Sequence, residues 1–347
     1  MKTKKILILA ILFTYLGLES QNKDKNIEVL TVAFYNVENL FDTVDDPNNG
    51  WDEAMTPKGQ DKWTEKKYKT KINNLSKVIA AIGKETTNNH PTIVGLCEVE
   101  NRNVLIDLVQ SENLKNLNYG IVHFDSPDWR GIDVALIFDS KRFIPRKAKT
   151  YPLEVQYKGS PSFSRDILVV FGFLDKEPIN FIVNHWPSRS GGQAESEPQR
   201  VKAAEVNKRI IDSIQKIDIN ANIISMGDFN DHPDDKSLKV LTSTYKKENI
   251  ETPGMFNPMQ ELFKKGRASY IFRGFPSAID QFVVSNGLIS KNSNLIYLKA
   301  DIYMKRFLYN QEGRYRGYPT RSMSYGVFNP NGYSDHLPIF LFLGKKL

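Results

Sequence analysis

The chain holds one cysteine, Cys97, in 347 residues. No intrachain disulfide can form, so stability must come from an apolar core and from any bound ion. Cys97 ends the apolar stretch Ile93-Val94-Gly95-Leu96-Cys97, which is the setting of a buried structural thiol rather than a reactive one. Long hydrophobic runs are also missing. The stretch from Ile6 to Leu18 falls short of the roughly 20 residues that span a bilayer. Preceded by Lys2, Lys4 and Lys5, it has the form of a secretory signal peptide over residues 1–20, with cleavage just before Gln21. An uncleaved anchor is the alternative. The absence of a Cys at this junction argues against a lipoprotein.

Three further absences narrow the chemistry. No GxxxxGK[ST] loop occurs, which disfavours nucleotide hydrolysis by that route. No Cys/His cluster has zinc-finger spacing. There are no internal repeats, low-complexity tracts or clear linkers, so residues 27–347 read as a single domain. Histidine is scarce, with five in the chain.

What is present fits a globular body: 40% hydrophobic and 25% charged residues over a length ample for a sizeable core. Of the formal net charge of +7, residues 1–20 account for +2, and the remaining +5 suits a phosphate-bearing substrate without specifying one. Val29–Tyr35, Thr92–Val99, Asp133–Phe138, Asp166–Leu174, Ile179–Asn184, Ile223–Met226, Ile279–Val284, Leu295–Leu298 and Pro338–Leu343 read as strands. Tyr68, Ile72, Leu75, Val78, Ile79 and Ile82 recur at helical spacing, and Val104–Val109 continues as a short helix. Pro198–Ile217 predicts a long polar helix with Val201, Val206, Ile210, Ile214 and Ile217 on its inner side. Strands without regular βαβ alternation favour two packed sheets flanked by helices over a doubly wound sheet.

Polar residues gather at the ends of these strands: Asn36 and Glu38, Glu98, His185, Asp228 and Asn230, Asp280, and Asp335-His336. Any one of them taken alone is most simply a turn residue or a solvated side chain. The set of carboxylates, amides and two of the five histidines at separate strand ends is harder to explain by turns. Hard oxygen donors such as Asn36, Glu98 and Asp335 fit Mg²⁺, Mn²⁺ or Ca²⁺, and a carboxylate–His pair suits activation of water.

These stretches resemble the endonuclease/exonuclease/phosphatase superfamily, which includes pancreatic-type deoxyribonuclease, abasic-site endonucleases, sphingomyelinases and inositol-phosphate 5-phosphatases. YNVENLFD (35–42), GLCEVEN (95–101), RGIDVALIFD (130–139), NHWPSRSGG (184–192), MGDFNDHP (226–233), AIDQFVVS (278–285) and YSDHLPIF (333–340) carry it, in the family's order. The resemblance implies an α/β (α+β) four-layer αββα sandwich with mixed sheets. It implies a metal-dependent phosphodiesterase: Glu98 as principal metal ligand with Asn36, Glu38 and Asp335 nearby, and Mg²⁺ as the expected ion. His336 oriented by Asp280 resembles the water-activating pair, although in some relatives Asp228 takes that role. Asp228 and Asn230 resemble the groups that position nucleophile and phosphate, and His185 resembles the second imidazole. Asp133 is the candidate partner of His185. Arg130 and Arg189, with Arg200 as a further candidate, could clamp phosphate oxygens.

The expected substrate is nucleic acid, cut by an exported monomer without a stable protein partner. Trp51, Trp129 and Trp186 are candidate stacking surfaces, with core packing as the alternative. A phospholipid head group or phosphosugar is the second substrate reading, with Ser269–Pro276 as a candidate membrane-contacting hairpin. A silent binding protein is the third, which would require a missing catalytic group.

Overall fold

A computed structural model describes residues 27–347 apart from 48, 158, 291, 292 and 325. The predicted signal peptide lies outside the described residues, among which no helix is long and apolar enough to cross a membrane. In chain order the strands are β1 (Ile27–Leu40), β2 (Ile93–Val99), β3 (Tyr119–His123), β4 (Asp133–Asp139), β5 (Phe143–Tyr151), β6 (Glu154–Tyr157), β7 (Ser160–Phe163), β8 (Ile167–Leu174), β9 (Glu177–His185) and β10 (Ile223–Asp228). They continue as β11 (Met255–Phe256), β12 (Tyr270–Phe272), β13 (Phe275–Ser277), β14 (Asp280–Ser285), β15 (Leu295–Ile302), β16 (Met323–Ser324), β17 (Val327–Phe328) and β18 (Ile339–Lys346). The helices used below are α1 (Glu65–Ala81), α2 (Lys84–Thr87), α3 (Arg102–Val109) and α4 (Gln193–Ile217).

Two six-stranded mixed sheets form the centre, ordered β15-β18-β1-β2-β4-β3 and β11-β14-β10-β9-β8-β5. Each contains one parallel pair, β1 with β2 and β9 with β10, and is otherwise antiparallel. Strand alternation builds the layers. On β10, Ile224 and Met226 enter the core between the sheets, while Ile223 joins a second core against α4. On β9, Phe181 and Val183 face inward while Ile182 faces α4. Tyr68, Ile72, Leu75, Val78 and Ile79 of α1 pack into the first core from the opposite side. The result is the αββα sandwich.

The long helix ends at Ile217 as the sequence predicts, but its start and its inner face differ from the sequence reading. It starts at Gln193, ahead of Pro198, and its buried side includes Arg200, Ala203, Ala204, Asn207, Ile210 and Ile211. Ile217, expected inside, is 90% exposed. Two buried polar residues set the true inner stripe. Arg200 Nε lies 2.7 Å from Asp231, and Asn207 Nδ2 donates to Asn184 Oδ1 and Ser225 Oγ, both at 2.9 Å. An apolar-only pattern cannot register positions filled by paired polar groups.

Candidate active site

The neighbouring strands β9, β10 and β14 bring three polar side chains to one edge of the second sheet. Asp228 ends β10 directly opposite His185 on one side and Asp280 on the other. Residues 224, 226 and 228 share a face, as do 181, 183 and 185, so Asp228 and His185 point between the sheets for the same reason that their apolar neighbours do. Gly227 permits this close approach: a Cβ there would sit 2.3 Å from the carbonyl oxygen of Asn184.

The first sheet delivers its side chains by breaking its own alternation. Gly95 lies against Met226 of the facing sheet, so the strand's period would turn Glu98 toward the helices. A bulge intervenes instead. The register of β2 shifts between Cys97 and Val99 against both neighbours, and Glu98 adopts φ +62. The adjacent strand β1 shifts between Asn36 and Leu40, with Glu38 at φ +53 and Asn39 at φ +49. Non-glycine residues in the left-handed region cost of order 1–3 kcal/mol each, and they persist where surrounding contacts over-determine them. Here those contacts are visible. Asn39 N donates to Glu98 Oε2 at 2.9 Å, and Asn36 Nδ2 donates to Glu98 Oε1 at 3.3 Å and Asp228 Oδ2 at 3.1 Å.

Asp228 Oδ2 is the meeting point. His185 Nε2 stands 3.8 Å from it and His336 Nε2 3.9 Å, while Glu98 Oε1 is 3.8 Å from His185 Nε2. His336 Nδ1 is 2.8 Å from Asp280 Oδ2, which also accepts Ser269 Oγ at 2.5 Å. Tyr270 lies over the imidazole, with ring centroids 4.7 Å apart. Burial opposes the charged form of His336, but Asp280, Asp228 and Asp335 outweigh it and hold its pKa well above the ordinary imidazole value. His185 goes the other way: burial, then Arg165, Arg130 and His336 push it well below. Its Nδ1 is buried without a hydrogen-bond partner among the described residues. Burial and Asp280, with a smaller push from Glu98, raise the Asp228 carboxyl to about 7 against the pull of His336.

Asn36, Glu98, Asp228, Asp280, His185 and His336 therefore form one constellation, as the sequence suggested. Asn230 adjoins it at φ +51; its N donates to Asp228 Oδ1 at 2.9 Å and its Nδ2 to the carbonyl oxygen of Trp186 at 3.0 Å. Other expectations are corrected. Glu38 is saturated by Arg321 Nε at 3.1 Å and by Ser322 N and Oγ at 2.6 and 2.7 Å, so both its oxygens are taken. Burial, then Asp335, raise it to about 7. Asp335 pairs with Arg321 at 2.5 Å. Asp133 serves His123 at 3.0 Å and Ser126, not His185. Arg189 is drawn to Asp235 at 2.7 Å, Asp231 at 3.2 Å and the carbonyl oxygen of Asn230 at 2.7 Å, because its own loop packs on the acidic segment after Asp228. Arg200 is wholly buried on Asp231. Trp186 packs edge-on against Phe229 in the core, whereas Trp129 is 64% exposed. Arg130 lines a cavity of about 500 Å³ together with Trp129 and Arg165.

Three residues of this region were not singled out from sequence. Lys71 is fully buried; its Nζ donates to the carbonyl oxygens of Glu38 and, at 3.3 Å, Asn39, and to Ser322 Oγ at 2.8 Å. It clamps the left-handed turn whose next amide holds Glu98. A lysine inside the apolar stripe of α1, between Tyr68 and Leu75, was its signal. Arg165, buried, donates to Asp128 Oδ2 at 3.1 Å and the carbonyl oxygen of Trp186 at 2.6 Å. Arg321 had no sequence signal, since it lies in a loop.

The donor set fits a hard divalent cation. Glu98 is partly open to solvent and flanked by the Asn36 amide, which also holds Asp228, a carboxyl that burial and then Asp280 raise to about 7. Among the described residues, the group Asp228, Asp280 and His336 has ligand atoms within 4.8 Å of one another.

A model of the Endonuclease/Exonuclease/phosphatase family matches residues 31–345. No curated protein sequence matches. Solved structures share the fold at low identity. A TDP2 from D. rerio, complexed with a single-strand DNA product, is 14% identical with a TM-score of 0.55, covering 91% of this chain and 98% of that one. An endonuclease/exonuclease/phosphatase family protein from Bacteroides thetaiotaomicron is 17% identical with a TM-score of 0.55, covering 93% and 97%. A mannosyl-6-phosphatase from the same organism is 17% identical with a TM-score of 0.51, covering 90% and 99%.

Proposed function

The chain belongs to the endonuclease/exonuclease/phosphatase family, and we propose that it is an exported, single-domain, monomeric enzyme that hydrolyses phosphate diesters of nucleic acid with Mg²⁺. The observation that carries this reading is Asp228 Oδ2, held by Asn36 and flanked at 3.8 and 3.9 Å by two imidazole nitrogens. Glu98 with Asn36 would hold the cation, and Asp335 would join it on release from Arg321. When bound there, such an ion would supply Lewis-acid polarisation of a phosphate oxygen. Asp228, with a carboxyl near neutrality, accepts the proton of the attacking water. His336, kept protonated by Asp280, donates from Nε2 to the charge that develops on phosphorus-bound oxygens. His185, kept neutral, orients the same phosphate from the opposite side. Asn230 fixes Asp228 from its backbone amide.

Nucleic acid is preferred over smaller esters because guanidinium and exposed aromatic groups flank the site: Arg130 with Trp129 on the His185 side, and Arg273 and Arg314 with Phe272 and Tyr315 beyond Tyr270. The structural neighbour with a single-strand DNA product is consistent with this, and the mannosyl-6-phosphatase neighbour keeps phosphosugars as the alternative. The test is digestion of supercoiled plasmid, RNA and bis-p-nitrophenyl phosphate with Mg²⁺ and with EDTA. Metal-dependent nicking or RNA cleavage is expected. Hydrolysis of the small diester with neither polymer touched would retain the chemistry and reject the substrate.

A further inference from the structure

The segment between β15 and β18 contributes Asn310, Arg314, Tyr315, Tyr318, Pro319 and Arg321, which with the hairpin β12–β13 line an open cleft of about 770 Å³. The hairpin turns at Arg273 (φ +49) and Gly274 (φ +90), a pair of left-handed residues that sends Phe272 and Arg273 outward together. Phe272 is 54% exposed and Tyr315 44%, and both line the cavity with Tyr270 and Tyr318. Arg273 lies 5.1 Å over the Phe272 ring, and Arg314 lies 5.6 Å over Tyr315. Neither guanidinium has an ion-pair partner among the described residues, unlike Arg321 on the inner wall, which is spent on Glu38 and Asp335.

Tyr270 lines the cavity and also stacks on the His336 imidazole. An occupant would therefore touch the ring that packs on the phosphate-facing histidine. Flat π-faces, unspent guanidinium charge and a volume in the range of small-molecule sites describe a receptor for an aromatic anion. A lipid tail would not use the free arginines, and a bare phosphate would not use the rings.

Resting on the nucleic-acid reading above, we propose that this cavity is a subsite for an unpaired nucleotide next to the scissile phosphate, its base stacked on Tyr315 or Phe272 and its own phosphate met by Arg314 and Arg273. A base inside a duplex is stacked on its neighbours and cannot present its face to these rings, so the subsite selects single strands or frayed ends.

The test compares wild type with Tyr315→Ala and Arg314→Ala, both at exposed loop positions outside the catalytic constellation. The probes are a fluorescently labelled single-stranded 12-mer, the same 12-mer in duplex, bis-p-nitrophenyl phosphate and mannose 6-phosphate. The expected result is a single-strand preference in wild type and a fall of about tenfold in kcat/KM on the single strand in each variant, the effect of losing one base stack or one phosphate contact. Hydrolysis of bis-p-nitrophenyl phosphate, which lacks the second phosphate that Arg314 and Arg273 would meet, should fall far less than cleavage of the 12-mer, and the melting temperature should not change. Equal losses on the 12-mer and the small diester would overturn the subsite, as would unchanged cleavage of the 12-mer. Loss confined to mannose 6-phosphate would reassign the cavity to a sugar. If wild type cuts the small diester but neither nucleic acid, the nucleic-acid reading itself fails, and the subsite with it.

Discussion

The two sides of Asp228 present the same side chain in opposite states. His336 and His185 are both buried, and their Nε2 atoms lie 3.9 and 3.8 Å from the same carboxylate oxygen. On one side Asp280 grips Nδ1 at 2.8 Å and the imidazole is held charged; on the other Nδ1 has no partner among the described residues, two arginines stand nearby, and the imidazole is held neutral. Burial by itself would neutralise both. The difference is made by what lies behind each ring, so an identical first contact acquires a proton donor on one side and a neutral hydrogen-bonding group on the other.

The largest effect should come from the atom that both halves share. Asp228→Asn keeps the shape and removes the charge; turnover on bis-p-nitrophenyl phosphate should fall roughly a thousandfold, with the circular dichroism of wild type. Near wild-type rates would remove Asp228 from the chemistry. Next is Asp280→Asn, which should make the two histidines alike: an NMR titration should find His336 returned toward the ordinary imidazole range, and turnover should fall by about a hundredfold. If the His336 titration does not move, the contrast between the halves has another origin.

A stability effect follows from the same carboxylate. Asp228, lifted from 3.8 to about 7, keeps its proton in the folded chain after the unfolded chain has lost its own. Stability in EDTA should therefore decline as pH rises from about 4 to about 7, with Glu38 adding a decline of the same sign over the same window. Asp228→Asn should flatten part of that slope in thermal melts, and Mg²⁺ should oppose it by binding the deprotonated cluster. A slope identical in wild type and variant would contradict the assignment. The smallest effect concerns the neutral side. Lys71→Met leaves the imidazoles untouched but releases the turn that presents the Asn39 amide to Glu98. Mg²⁺ should then raise the melting temperature less than in wild type, whereas a purely structural role for Lys71 would lower both melts equally.

Much of this architecture was legible from residues in order. The strand ends carrying Asp228, His185 and Glu98 were found because period-two alternation and abrupt polar termini are local signals, and seven matching stretches in the family's order left little freedom in topology. The partnerships were not legible. Asp133 went to His123, Arg189 and Arg200 to the acids after Asp228, and Glu38 to Arg321 and Ser322, 283 and 284 residues away in sequence. Spacing does not reveal which of several carboxylates a cation will meet, because a few ångströms of backbone path decide it.

What the sequence determined alone is the pattern that scales with the chain itself: alternation that makes two faces per strand, a stripe that makes α1 pack, one cysteine that excludes an intrachain disulfide, and the residue types from which a phosphate-ester site can be assembled. Tertiary structure decided direction and state. The bulge at Glu98 turned a side chain against its strand's own period, Asp280 charged one histidine, and Arg165 with burial neutralised the other. These outcomes depend on electrostatic and steric contacts between residues distant in the chain, whose energies fall off within a few ångströms and so exist only once the sheets have met.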